Sequence, residues 1–162
     1  LAAPTPSSLL NNLRAGVQSV RVIHGLLLNT PGDPHRGVES NVEAFVLRPR
    51  IQSESPITVS ELQTDASGQF RTVTLKLSPL VGATQRIVLL LNERNGGKAF
   101  TFVANPLSAD TDTVSFRIAT VAAGTYLVRV QVDGAESLLD VDTNPESSTF
   151  NQFTGTPSLT IP

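Results

Sequence analysis

Apolar and polar residues alternate along much of this chain. The clearest run is Ile118 to Leu139, IATVAAGTYLVRVQVDGAESLL. Tyr126, Val128, Val130 and Val132 share one face of an extended strand, and Arg129 and Gln131 take the other. A period of two with one apolar face predicts a strand half buried in a sheet. Asp133-Gly134 follows, a pair that accepts the positive φ angles of a two-residue hairpin turn. Tyr126, the one tyrosine, lies two residues after Gly124. At the start of such a strand, β-sandwiches often carry a tyrosine whose hydroxyl bonds back to upstream backbone.

The same pattern recurs upstream. Val73, Leu75 and Leu77 alternate with Thr72, Thr74 and Lys76, and Val114, Phe116 and Ile118 form another such face. Arg86 to Asn92 (RIVLLLN) is almost wholly aliphatic, which suits a central strand covered on both faces; its Ile and Val and the flanking turns favour strand over helix. Asn95-Gly96-Gly97 is a hairpin turn, and the return strand Lys98 to Val103 carries Phe100 and Phe102 on one face. Ile57 to Leu62 reads as a weak strand, Asp65 to Gly68 as a turn, and Ser78 to Thr84 as a loop. Asn105 to Asp112 and Asp142 to Gln152 read as polar connections, and Ser158 to Ile161 as a last edge strand. No amphipathic helix is predicted. Seven to nine short strands spaced by turns predict an all-β fold, an antiparallel immunoglobulin-like β-sandwich.

One stretch repeats. LRAGVQSVRVIH at Leu13 to His24 matches VAAGTYLVRVQV at Val121 to Val132, with Gly16 on Gly124, Val20 on Val128, Arg21 on Arg129 and Val22 on Val130. GVESNV at Gly37 to Val42 matches GAESLL at Gly134 to Leu139. Residues 13–47 therefore read as the terminal hairpin of a preceding, incomplete β domain, with a long loop (GLLLNTPGDPHRG) in place of the tight turn. Residues 1–12, rich in Pro, Ser and Asn, read as a linker, and residues 48–162 as the sandwich proper, with Phe45, Leu47 and Ile51 pointing inward. Pro49 suits an edge position.

Composition removes several classes of function. A net charge of −2 offers no basic footprint for nucleic acid. With no cysteine, disulfides and thiolate metal sites are excluded. The longest apolar run, Ile87 to Leu91, is far short of a membrane span, and no signal peptide opens the chain. His24, His35 and Glu39, near Asp33, are the one group with metal-ligand chemistry, and loop histidines in solvent are the simpler reading. Asp110, Thr111, Asp112 and Thr113 lack the glycine and distal Glu of a calcium loop, and Asp140, Asp142 and Glu146 lack them too. No G-x-S-x-G elbow occurs, and Gly96-Gly97 and Gly155-Thr156 are turn residues rather than a phosphate loop. There is no Trp to stack sugars, and the phenylalanines read mostly as core. The sequence predicts no enzyme activity, no catalytic or metal residues and no cofactor.

Three segments carry a family resemblance: RAGVQSVRVIH at Arg14 to His24, HRGVESNVEAFVLRPRI at His35 to Ile51, and GTYLVRVQVDGAESLL at Gly124 to Leu139, with FTGTPSLTIP closing the chain. They resemble the C-terminal immunoglobulin-like region of the cap (tail-terminator) proteins of bacterial contractile injection systems, which are phage-tail-like particles. The resemblance is weakest over Gln52 to Gln69. It implies a non-enzymatic structural or interaction module, assembled with protein partners as an oligomer in a tail-like particle. The bacterial cytoplasm would be its site of assembly, with release or attachment to the cell envelope also open. No tube-end binding residue carries over, because the cap domain is not in this chain. The alternative reading is an adhesive or glycan-binding sandwich of a bacterial surface protein.

Overall fold

A computed structural model describes residues 13–26 and 35–162. The expected linker 1–12 and the centre of the long loop, with Asp33, lie outside the described residues. The described chain is all-β. It opens with β1 (Gly16–Val20), β2 (Ile23–Leu26), β3 (His35–Glu39) and β4 (Glu43–Leu47). There follow β5 (Arg50–Ile51), β6 (Thr58–Val59), β7 (Gln63–Asp65), β8 (Gly68–Val81) and β9 (Ile87–Glu93). The last strands are β10 (Ala99–Val103), β11 (Thr111–Ile118), β12 (Gly124–Val132), β13 (Ala135–Glu136) and β14 (Ser158–Ile161).

From β5 onward the strands form an antiparallel β-sandwich. One sheet runs β10-β9-β12-β13, with β14 also on β12; the other runs β11-β8-β5, with β6 and β7 also on β8. The alternating residues fill the space between them. Val73, Leu75, Leu77, Val114, Phe116, Ile87, Leu89, Leu91, Val128, Val130 and Val132 are all buried. Burial of each such side chain stabilises the fold by about 1.5–3 kcal/mol relative to exposure. β9 lies between β10 and β12, and Val88 is buried on its second face, as the aliphatic run predicts.

The closing turn and the tyrosine are as the sequence predicts. Asp133 and Gly134 have φ of 46° and 88°. The Asp133 carboxylate accepts from the Arg86 backbone N–H and from Gln85 Nε2, each at 2.9 Å. Tyr126 is fully buried, and its hydroxyl donates to the Ala122 carbonyl at 2.9 Å. Burial, and secondarily the negative charge of Glu93, push its phenol above the usual range. Phe100 packs edge-on to the ring, 6.0 Å between centroids.

Several expectations are corrected. Beside the hairpin, the sandwich has ten strands, β5 to β14, rather than seven to nine, because short edge pieces such as β5, β6 and β7 each pair separately with β8. β8 runs on through the expected loop at Ser78 to Val81, where Arg50 pairs with Ser78. Pro79 is accommodated because the β11 ladder shifts register there, passing from Thr113↔Lys76 to Thr111↔Val81. The weak strand at Ile57 to Leu62 shortens to Thr58–Val59. His35 opens β3 rather than lying in a loop. Of the inward trio, Ile51 is buried and Leu47 half-buried, but Phe45 is exposed. Among the phenylalanines, Phe116 alone is buried, and Phe45, Phe150 and Phe153 are exposed.

Strands β1 to β4 pair with one another, not with either sandwich sheet. β1 pairs β4 from Gly16↔Leu47 to Val20↔Glu43, and β2 pairs β3 from Ile23↔Glu39 to Leu26↔His35. The base of this hairpin is tied to the sandwich. Ala15 is buried in the sandwich core, and its carbonyl accepts from Gln85 Nε2 at 2.7 Å. Arg14 clamps Asp110 through Nε at 2.7 Å and Nη2 at 2.6 Å.

Candidate functional site

The candidate chemical groups are dispersed. His24 is exposed on β2 and lies across from Val38, whereas the Glu39 carboxylate holds Arg21 at 3.0 Å. Among the described residues no group of three His, Cys, Asp or Glu side chains converges as a metal site would need. Asp110 is bound by Arg14 and by the Ala83 backbone N–H, which hold its carboxyl below the usual range. Thr113 Oγ1 donates to Asp112 at 2.7 Å and, with Lys76 at 3.6 Å, lowers that group too. Asp142 caps its own loop. It accepts from Ser147, from Thr149 Oγ1 at 2.7 Å and from the Asn144 N–H at 2.9 Å, and all three lower its pKa. Each of these carboxylates is engaged with neighbouring donors, and among the described residues the two acidic stretches form no shared metal-binding group.

A groove of about 630 Å³ runs between residues 50–57 and the segments at 140–141 and 156–158. Asp140 on its wall already accepts from Thr156 Oγ1 at 2.8 Å, and the Thr154 hydroxyl donates to the Asp140 carbonyl. The groove's acidic group is thus spent within the wall.

The hairpin is different. Among the described residues, eight of the fourteen large apolar side chains left exposed lie between Val17 and Val46. Val20 is 52 % exposed, Val22 68 % and Val38 73 %. Among the described residues this concentration of exposed apolar side chains sets the hairpin apart from the sandwich.

The structure also shows why the hairpin folds as it does. Arg21 pairs with Glu39, and Arg129 pairs with Glu136. Val22 N–H donates to Ser40 Oγ at 2.9 Å while Ser40 N–H returns a bond to the Val22 carbonyl at 2.9 Å. Val130 and Ser137 make the same reciprocal pair at 2.9 and 2.8 Å. Gln18 Nε2 donates to the carbonyl four residues back, Arg14, at 3.0 Å, in the place where Tyr126 reaches Ala122. The registers agree as well: Gly16↔Leu47 and Gln18↔Phe45 correspond to Gly124↔Ile161 and Tyr126↔Leu159. The sequence repeat is thus a repeat of bonding. The roles of Gln18, Gln85, Ser40 and Ser137 were not read from the sequence. The matched GVES and GAES segments were the signal for the two serines, while Gln18 aligns with a tyrosine and gave none.

The fold and its surfaces define an antiparallel β-sandwich domain with an attached, apolar strand hairpin. The chain belongs to a family of domains of unknown function (DUF8756), whose profile matches residues 49–160. That match begins two residues past the end of β4. No curated protein and no solved structure matches the chain.

Proposed function

We propose that the chain is a non-enzymatic structural or interaction module, an accessory immunoglobulin-like domain of a cap protein in a bacterial contractile injection system. The observation that carries an interaction role is the exposed apolar hairpin, because a surface of that kind is covered in a working assembly. The particular assembly rests on the resemblance of Arg14 to His24, His35 to Ile51 and Gly124 to Leu139. The immunoglobulin-like assignment is supported by the two-sheet strand order and by the Tyr126 hydroxyl bond at the start of β12. On this reading the protein acts through protein contacts within a tail-like particle assembled in the bacterial cytoplasm.

The test is to tag the protein in its host and purify sheared or released particles by sedimentation. The tag is expected in the fraction that holds sheath and tube proteins, and the gene is expected beside theirs. A tag that stays wholly in the unassembled fraction, or saturable binding to a glycan array, would replace this reading with that of an adhesive or glycan-binding sandwich.

A further inference from the structure

We infer that Asn95 is a site of spontaneous covalent modification. Its side-chain amide cyclises onto the backbone nitrogen of Gly96, and the ring hydrolyses to aspartate and isoaspartate. Asn95 lies in the sandwich itself, so this chemistry is independent of what the protein assembles with.

An Asn-Gly pair occurs once in the chain, and a folded turn can hold the two groups of such a pair apart. The base of this turn is held. Glu93 N–H donates to the Lys98 carbonyl, and Arg94 N–H to the Thr125 carbonyl, each at 2.9 Å. The Arg94 guanidinium also lies against Gly155, where a Cβ would meet Nη2 at 2.9 Å. The tip is not held. Asn95, Gly96 and Gly97 are exposed. Among the described residues, neither the Asn95 side chain nor the Gly96 N–H has a hydrogen-bond partner. A Cβ added at Gly97 would meet nothing within 4 Å, so the tip stands in open solvent.

Gly96 supplies the nucleophile. The Glu93 carboxylate lies against it, on the side that a Cβ would take. The residue that makes room for Glu93 is therefore the one whose nitrogen no side chain shields.

The Gly96 nitrogen attacks Cγ of Asn95. A C–N bond forms, the bond from Cγ to the side-chain nitrogen breaks, and ammonia leaves with the proton given up by the Gly96 N–H. Water then opens the cyclic imide at either carbonyl. One opening gives aspartate, and the other gives isoaspartate, whose main chain runs through the side-chain methylene. Nothing is oxidised or reduced, and one water is consumed. Either product places a second carboxylate in a turn that already holds Glu93, and isoaspartate lengthens the connection between β9 and β10.

Other positions lack one of these features. Asn105 and Asn144 precede prolines, whose nitrogens carry no proton to give up. Asn92 Oδ1 accepts from Arg129 at 2.9 Å within the sheet. Asp133-Gly134 is a turn of the same kind, but Arg86 N–H and Gln85 Nε2 hold both Asp133 carboxylate oxygens at 2.9 Å.

The test incubates the folded 162-residue chain in neutral buffer beside a sample unfolded in urea. Peptide mass spectrometry reads amide-to-acid conversion at position 95, and protein isoaspartate methyltransferase with a labelled methyl donor reads isoaspartate. Loop tips open at little free energy, so conversion in the folded chain is expected within about tenfold of the unfolded rate. Both acids should form. Asn95→Gln should lose the signal and Gly96→Ala should slow it many-fold, with both variants folded by circular dichroism. An intact amide at position 95 in the folded chain, after the unfolded chain has converted, would overturn the proposal. So would aspartate without isoaspartate, Gly96→Ala converting as fast as the wild type, or isoaspartate at position 133 with none at position 95.

Discussion

Tyr126 is one of the residues in this molecule whose polar group is bonded in the interior. Its hydroxyl lies in a buried pocket and satisfies the Ala122 carbonyl. Tyr126→Phe keeps the ring and its contact with Phe100 but leaves that carbonyl without its donor. The expected cost is about 1–2 kcal/mol, read as a shifted midpoint in urea at unchanged slope; an unchanged midpoint would show that the bond contributes nothing. Asp110 makes a prediction of a different kind. Arg14 and the Ala83 N–H hold its folded-state pKa below the ordinary value, so the contact favours the folded hairpin base when Asp110 is ionised. That contribution is present above about pH 4, the unfolded value, and is lost as pH falls through the lower folded value. The Ala83 amide resonance should therefore titrate below pH 4 in the wild type, and Asp110→Asn should remove the titration. Because Asp110 is at the surface, the effect is local, and the global unfolding midpoint should scarcely follow it.

At the scale of elements, the two hairpins carry the same bonds in different surroundings. Ser137 is buried, so Ser137→Ala leaves the Val130 N–H without a partner inside the protein, at an expected cost of about 1–3 kcal/mol. Ser40 is exposed, and water can replace its hydroxyl at Val22, so Ser40→Ala should shift stability by under about 0.5 kcal/mol. Parallel denaturation curves of the two variants check this, and equal losses would show that burial does not set the difference. The strands that build the core were legible because alternation is written into one element at a time: Val73, Leu75 and Leu77 announce their face without reference to a neighbour. Pairing was less legible. β8 continues through Pro79 only because the β11 ladder shifts register beside it, and that shift depends on residues some thirty positions away. Phe45 reads as core from its own alternation, yet it is exposed, because β4 pairs only with β1 in a two-stranded sheet rather than joining either sandwich sheet. The hairpin was visible as a repeat, whereas its separation from both sandwich sheets depends on pairings that no single strand announces.

At the scale of the whole molecule, the question is how far the sandwich depends on the hairpin fixed to it. The ties are few and specific. Ala15 contributes one methyl group to the core, its N–H donates to the Leu80 carbonyl at 3.3 Å, and Gln85 bonds its carbonyl at 2.7 Å while also holding Asp133 at the closing turn; Arg14 clamps Asp110 at the surface. Arg48 adds a surface bond to the Glu136 carbonyl at 3.0 Å. Burial of one methyl group is worth about 0.8 kcal/mol and each of the two Ala15 hydrogen bonds about 1 kcal/mol net, with the exposed Arg14 and Arg48 contacts adding little, so the chain shortened to residues 48–162 should lose about 3 kcal/mol. The loss should be small because every strand of both sheets lies after residue 48, and the family profile also starts there. Thermal unfolding should remain a single cooperative transition at a lower midpoint, with the Tyr126 environment retained in near-ultraviolet circular dichroism. The truncation should also make the protein more soluble, since it deletes eight of the fourteen large apolar side chains exposed among the described residues. If the shortened chain instead unfolds, the segment around Ala15 binds the two parts far more tightly than a methyl group and these few hydrogen bonds account for. The hairpin would then belong to the sandwich's own folding unit rather than to a neighbouring one.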